Sequence, residues 1–585
     1  MNTPRLSQVL LTGLIMLAQP LVAWAQMNNP GTDPRLYNMH IETPVISTQG
    51  MVATQDAIAS RIGAQILADG GNAVDAAVAV GFALAVAHQS AGNLGGGGFM
   101  MVYLAQEDKT IAIDYREVAP LAAFRDMYLD ADGNVDNEVA RFSRASSGVP
   151  GTVAGMYHAL TNYGTMTWQQ VMAPAIKLAA EGFHMPYDFS SQLRSKRDRF
   201  SASPAAMEVY YHADGEPIAP NELFIQDDLA ATLRLIASEG PDVFYKGKIA
   251  DQIVAEMQRG NGYITLEDLA NYRVREREPV HGTYRGYEIV SMPPPSSGGL
   301  HIIQMLNVLE NFDLASMGAG SANAYHVIAE AMRYAYADRA VHLGDPDFYD
   351  VPVKWITSKE YGAELASQID MDHARPSSEV SAGTPMPHDS PNTTHYSIAD
   401  KAGNVVANTY TLNLSYGSAI MVTGAGFLLN NQMDDFSSKI GAMNAFRLLG
   451  NEANAIEAGK VPLSSMSPTI VFKNGVPFML SGGAGGSQII SATIQNIINV
   501  IDFDMNIAEA VHAPRIHQQW KPDKLYLQPG ISPDTQALLR QKGHELSVWE
   551  YFGRTASLTI ENGVFFGVAD PRAIGGSAEA PDRLN

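Results

Sequence analysis

The sequence predicts a mixed α/β protein in which buried helices pack on strands. Three observations carry that expectation. Helical spacing and strand-like runs alternate between residues 53 and 118, helical periodicity dominates residues 150–275, and from residue 393 short β-branched runs are divided by Gly and Asn. The chain has 585 residues, 46% hydrophobic and 17% charged, enough to bury a large core. Lys and Arg number 39 against 61 Asp and Glu, a formal charge of −22, which argues against nucleic acid or an anionic membrane as the main partner.

Residues 1–25 read as a secretory signal. Arg5 supplies a positive start, Val9 to Ala18 an apolar stretch, and Ala23-Trp24-Ala25 a small-x-small cleavage site before Gln26. A retained membrane anchor is the alternative reading. The chain has no cysteine, which removes disulfides, thiol catalysis and thiolate metal sites, and a periplasmic or secreted location follows. No cofactor and no metal are expected, and no membrane association after signal removal. Histidines His512 and His517 in "VHAPRIHQQW" lack a nearby carboxylate pattern.

Ala57, Ile58, Ile62, Ile66 and Leu67 follow helical spacing, Gly70-Gly71 ends that helix, and Asn72 is placed to cap the next. The second helix, from about Ala73, is apolar nearly all round and too short to span a bilayer, so it reads as a core helix. "GGGGFMMVYL" and "KTIAIDYREV" follow as strands. Thr167–Glu181, Asp227–Glu239 and Ala324–Val341 read as helices, then Gly426–Asn431, Thr469–Phe472, Phe478–Ser481 and Leu525–Leu527 as strands, with a helix over Ser487–Asp502. A polar segment, Ser377 to Asn392, precedes the change of texture near Asp389.

"SPNTTHYS", Ser390 to Ser397, opens that second region. Reading Thr393–Asn413 as a hairpin with Lys401-Ala402-Gly403 as its loop places Thr393 opposite Thr411, with Asn413 one pair beyond on the same face. Two readings are open at this point. Thr393 either starts a strand, or becomes a nucleophile whose own α-amine, with a pKa near ~7.7–8.0 once the Asn392–Thr393 bond is cut, serves as its base.

Taken together, "TTHYS", "TYTLN", "LLNNQMDDF", "PLSSMSPT", "GGAGGSQ", "GGNAVDAA", "NLGGGGFMMVY", "IDYREVAP" and "PPPSSGGLHIIQML" resemble the γ-glutamyltransferase (γ-glutamyl transpeptidase) family, in order along nearly the whole mature chain. The resemblance implies an amino-terminal-nucleophile (Ntn) hydrolase, an αββα four-layer sandwich. It implies a precursor that cuts itself between Asn392 and Thr393 into a large piece, 26–392, and a small catalytic piece, 393–585, which stay together as a heterodimer in one unit. It implies cleavage of γ-glutamyl compounds such as glutathione through a γ-glutamyl-threonine ester, with transfer to an amino acid, a peptide or water.

By position, the resemblance makes Thr393 the nucleophile, Thr411 the neighbour of its hydroxyl, and Gly485 and Gly486 the oxyanion pair. Arg116, with Ser464 and Ser465, matches the carboxylate clamp, and Asn413, Gln432 and Asp435 match the ammonium acceptors. Phe446 stands where the family's lid loop often carries a tyrosine that hydrogen-bonds towards the asparagine, so a looser or differently latched lid is expected. Asp570-Pro571-Arg572 and His395 are read as structural. A glutaryl- or cephalosporin-type acylase on the same scaffold is a second reading, though such an acyl group has no amine for the clamp. An unprocessed periplasmic amino-acid-binding protein is a third.

Overall fold

Alternation along the strands explains the architecture. The computed structural model describes residues 42–380, 393–442, 444–449 and 452–584, so the expected signal segment and Asn392 lie outside the described residues. Gly97–Leu104 (β1), Lys109–Tyr115 (β2), Thr394–Asp400 (β3) and Val405–Thr411 (β4) form the centre of a seven-stranded antiparallel sheet, in spatial order β3-β4-β1-β2. Phe99, Met101 and Tyr103 face a second sheet and pack with its Val290, Ile470, Leu480 and Leu558, whereas Met100 and Val102 join a core shared with helices. Both faces of the strand are buried, as a sheet inside a layered sandwich requires.

On the helical side of this first sheet lie Ala57–Ala68 (α1) and Ala73–Ala87 (α2). Every residue of α2 is buried, as its apolar circumference predicts, and Asn72 caps it with a reciprocal bond to Asp75. Gly298–Leu309 (α3), Ala322–His342 (α4) and Gln488–Ile501 (α5) cover the outer face of the second sheet. The order is helices, sheet, sheet, helices: the four layers expected from the sequence.

The hairpin register is the expected one: Thr394 pairs with Tyr410, His395 with Thr409 and Tyr396 with Asn408. β3 also pairs with Gly50–Thr54, and β4 with β1, so the hairpin sits between strands from the first part of the chain. Described strands from before and after the change of texture therefore share one sheet. The glycine run Gly95–Gly98 exists because backbones meet there. A Cβ on Gly96 would stand 2.1 Å from the Thr411 carbonyl oxygen, and one on Gly98 2.4 Å from that of Thr409.

One expected strand is absent. Gly426–Asn431 folds back as an irregular loop, because its backbone bonds go to four separate partners. Val422 donates to Phe427, Leu429 to Ile420, Asn430 to Gly95 and Asn431 to Leu412. The apolar stretch Phe427-Leu428-Leu429, bordered by Gly426 at φ +74°, has no single neighbour along which to extend.

Candidate active site

The edge of the β3–β4 hairpin brings the two threonines together. Thr393 Oγ1 lies 3.3 Å from Thr411 Oγ1, both buried. Thr411 Oγ1 accepts from the Asn413 N–H at 2.8 Å, which leaves its own proton able to point at Thr393. Asn93, just before the glycine run, holds the Thr411 carbonyl at 2.9 Å. The close backbone approach at Gly96 and this bond together fix where the Thr411 hydroxyl stands.

Gly485 (φ +136°) and Gly486 (φ +56°) form the turn leading into α5. A Cβ on Gly485 would meet Gly553 Cα at 2.8 Å, so both conformation and space demand glycine. Among the described residues neither N–H donates to a protein acceptor, which leaves two donors available. Gly486 lines the cavity that holds Thr393. Gly485 lines a separate cleft on its other side, with Gln488 and Arg554.

That cavity, about 20 Å³, is bounded by Arg116, Arg339, Thr393, Thr411, Asn413, Gln432 and Asp435, with Phe446, Ser464, Ser465 and Gly486 closing it. Apart from Gly485, every site residue expected from the sequence and described here is therefore at one place. Arg116 Nη2 bonds Asp435 at 2.6 Å, and its guanidinium also reaches the Pro462 and Leu463 carbonyls at 3.3 and 3.5 Å. Gln432 Nε2 donates to the same Asp435 oxygen at 2.6 Å. Two acceptors are left over: Asn413 Oδ1 and Gln432 Oε1 are buried with no hydrogen-bond partner. Burial raises the Asp435 pKa more than the nearby Arg116 charge lowers it. Orphaned neutral oxygens beside a carboxylate form a receptor for an ammonium group, next to a guanidinium suited to a carboxylate.

Sequence reasoning missed Arg339. It lies on α4 behind the clamp, donating to Ser297 Oγ at 3.0 Å and Ser465 Oγ at 3.2 Å, and burial lowers its pKa to about 10. The available signal was an arginine inside a helix whose neighbours are nearly all buried, a position that requires polar company. Phe446 lines the cavity, Asn444 Nδ2 reaches Asp435 Oδ1 at 3.3 Å, and Gln519 holds the Phe446 and Arg447 carbonyls at 3.3 Å. The Asn413 amide donates to the Asn431 carbonyl.

His395 is buried against Thr409 and Ser397, and burial lowers its pKa to about 3. His517 is likewise buried, between Ser491 and Gln519. Asp570 ties Arg515, Arg572 and the Thr555 amide together.

Behind Arg116, both Glu117 carboxyl oxygens are buried without a hydrogen bond, and the Arg116 Nη1 stands 3.8 Å away. Burial raises the Glu117 pKa to about 7 from an ordinary 4.5, against the lowering effect of Arg116. A carboxyl raised on folding holds its proton to higher pH in the folded than in the unfolded chain. Stability therefore falls as pH rises from about 4.5 to about 7 and stays lowered above that. Glu117→Gln is expected to stabilise the protein by about 2–3 kcal/mol at pH 8, with no gain near pH 4.5. Melting temperatures of both proteins across that range check it; an equal difference at every pH would be the wrong outcome.

A model described as gamma-glutamyltranspeptidase matches residues 59–580. The chain is 50% identical over 532 residues to the glutathione hydrolase proenzyme of Escherichia coli K12, covering 91% of this chain and 92% of that one. Among solved structures, the cephalosporin acylase from Bacillus halodurans superimposes with TM-score 0.82 at 28% identity, over 94% of this chain and 99% of that one. Helicobacter pylori gamma-glutamyltranspeptidase superimposes with TM-score 0.55 at 44% identity, over 59% of this chain and 97% of the solved chain.

Proposed function

Because the chain belongs to the gamma-glutamyltranspeptidase family, we propose that it is a γ-glutamyltransferase and glutathione hydrolase that matures by cutting itself between Asn392 and Thr393. The Thr393 hydroxyl attacks the Asn392 carbonyl carbon, the peptide C–N bond breaks as an ester forms, and water hydrolyses the ester. This releases the Asn392 carboxylate and a free Thr393 α-amine. The products are pieces 26–392 and 393–585, which remain together as a heterodimer. Residues 1–25 direct the precursor out of the cytoplasm, to the periplasm or the medium; among the described residues no helix is long and apolar enough to cross a membrane.

In the mature enzyme the α-amine takes the Thr393 hydroxyl proton as Oγ attacks the γ-carbonyl carbon of a donor such as glutathione. The Gly485 and Gly486 N–H groups receive the oxyanion, donors typically worth about 10²–10³ in rate. The amine leaves with the proton, a γ-glutamyl ester on Thr393 remains, and an acceptor amine or water then takes the acyl group. Thr411 orients the nucleophile, Arg116 with Ser464 and Ser465 receives the α-carboxylate, and Asn413, Gln432 and Asp435 receive the ammonium. Binding must exchange the Arg116–Asp435 ion pair for two pairs with the substrate, and the Asn444 latch on Asp435 is given up in the same exchange.

The observation that carries the choice of donor is the pair of orphaned acceptors, Asn413 Oδ1 and Gln432 Oε1. A γ-glutamyl group supplies the ammonium they lack, whereas a glutaryl group, the donor an acylase reading requires, leaves them buried and unpaired at about 1–3 kcal/mol each. The likeness to a cephalosporin acylase makes that second reading specific. Hydrolysis of γ-glutamyl and glutaryl anilides under one set of conditions separates the two. The expected preference for the γ-glutamyl anilide is at least about 10²-fold in kcat/KM; a preference for glutaryl would reverse the assignment.

A further inference from the structure

We propose a zinc-class cation site formed by His326, Glu330 and His544, apart from the reactive centre. His326 and Glu330 stand one turn apart on α4, and His544 follows helix Pro533–Gln541. One ligand atom from each lies within 4.8 Å of the other two, and all three residues are buried. The sequence raised no expectation of a metal because the third ligand is more than 200 residues from the first two, with no short spacing to read.

The hydrogen bonds prepare the site. His326 Nε2 lies 2.8 Å from the Asp370 carbonyl, which can only accept, so the proton is on Nε2 and Nδ1 carries a lone pair. This is the outer bond that orients metal-binding histidines. His326 Nδ1 faces His544 Nε2 at 2.8 Å, and His544 Nδ1 is buried with no partner. Glu330 accepts from Arg333 Nε on Oε1 at 3.2 Å and from the Arg375 N–H on Oε2 at 3.3 Å; Arg333 also pairs with Asp523, so Glu330 can offer Oε1 to a cation and keep the Arg375 bond without stranding the arginine. Two imidazoles and one carboxylate suit zinc, with a water completing a tetrahedron. Zinc–nitrogen distances near 2.0–2.1 Å place the two nitrogens about 3.3 Å apart, so the rings need part by only about half an ångström. The Nε2 proton of His544 passes to its Nδ1 as the ion binds.

His326 and Glu330 precede position 393 and His544 follows it. If the chain matures as proposed above, the ion fastens the large piece to the small one. The site itself does not depend on that reading.

The test uses full-length protein freed of metal by a chelator and titrated with Co²⁺. The expected result is a one-to-one complex with the intense visible absorption of a tetrahedral site, displaced by Zn²⁺. His544→Gln and, separately, His326→Gln weaken binding at least about 100-fold, while His373→Ala, at an exposed histidine beside Asp370, leaves it unchanged. Zinc at a hundred times its Kd shifts the unfolding equilibrium about 100-fold towards the folded protein. No one-to-one complex with the parent protein overturns the proposal, as does binding that survives both glutamine variants or is lost in His373→Ala. Zinc binding without any effect on separation of the two pieces overturns only the fastening role.

Discussion

Thr393→Ala is expected to remain one uncut chain and to lose at least about 10⁴ of its activity on γ-glutamyl donors. The variant removes one oxygen with two uses. That oxygen would open the Asn392–Thr393 bond, and after cleavage it would carry the acyl group. The fold should survive, because Thr393 is a coil residue at the mouth of β3 whose side-chain bond among the described residues is the 3.3 Å contact with Thr411. Denaturing electrophoresis together with amino-terminal sequencing of the parent's smaller fragment reads both consequences. A parent fragment beginning at Thr393 and an intact variant are expected. A variant that still matured normally would show that some other group cuts the chain.

Arg116→Lys is expected to lower kcat/KM for the γ-glutamyl donor by about 10²–10³, mostly through KM, while leaving maturation intact. The guanidinium reaches Asp435 and two backbone carbonyls at once and keeps its Nη1 free of hydrogen bonds among the described residues. Lysine is a point charge on a flexible stem. It can hold Asp435 or approach the substrate carboxylate, but it cannot do both in one plane. Losing a charge-assisted bond costs about 1.5–3 kcal/mol, and the group left unpaired adds to that. Steady-state kinetics on one γ-glutamyl anilide, with electrophoresis as the check on maturation, measure the effect. An unchanged KM would remove Arg116 from the clamp.

Much of this site was legible in advance because it lies on short, regular elements. The β3–β4 register follows from strand alternation and a three-residue loop, so the pairing of Thr393 with Thr411 is legible in the sequence. The capping of α2 by Asn72 and its burial on every side were equally plain, since both are written in adjacent residues. Arg339 was not legible: its partners Ser297 and Ser465 come from other parts of the chain. Gly426–Asn431 misled for the opposite reason. Its local pattern suits a strand, but four different neighbours claim its backbone. The ring without a hydroxyl at Phe446 was legible, but not the turn that brings Asn444 to Asp435.

By itself the sequence determined the layered α/β class, the hairpin that aligns Thr393 with Thr411, and the family. Each of these rests on periodicities and motifs that are local along the chain. Only the tertiary structure decided that Arg116 and Asp435 are paired with each other, that Asn413 and Gln432 keep acceptors with nothing to bind, that Arg339 stands at the same cavity and that Asn444 reaches Asp435. Hydrogen-bond satisfaction depends on which distant groups meet when water is excluded. It is therefore a property of packing, invisible to any window of sequence.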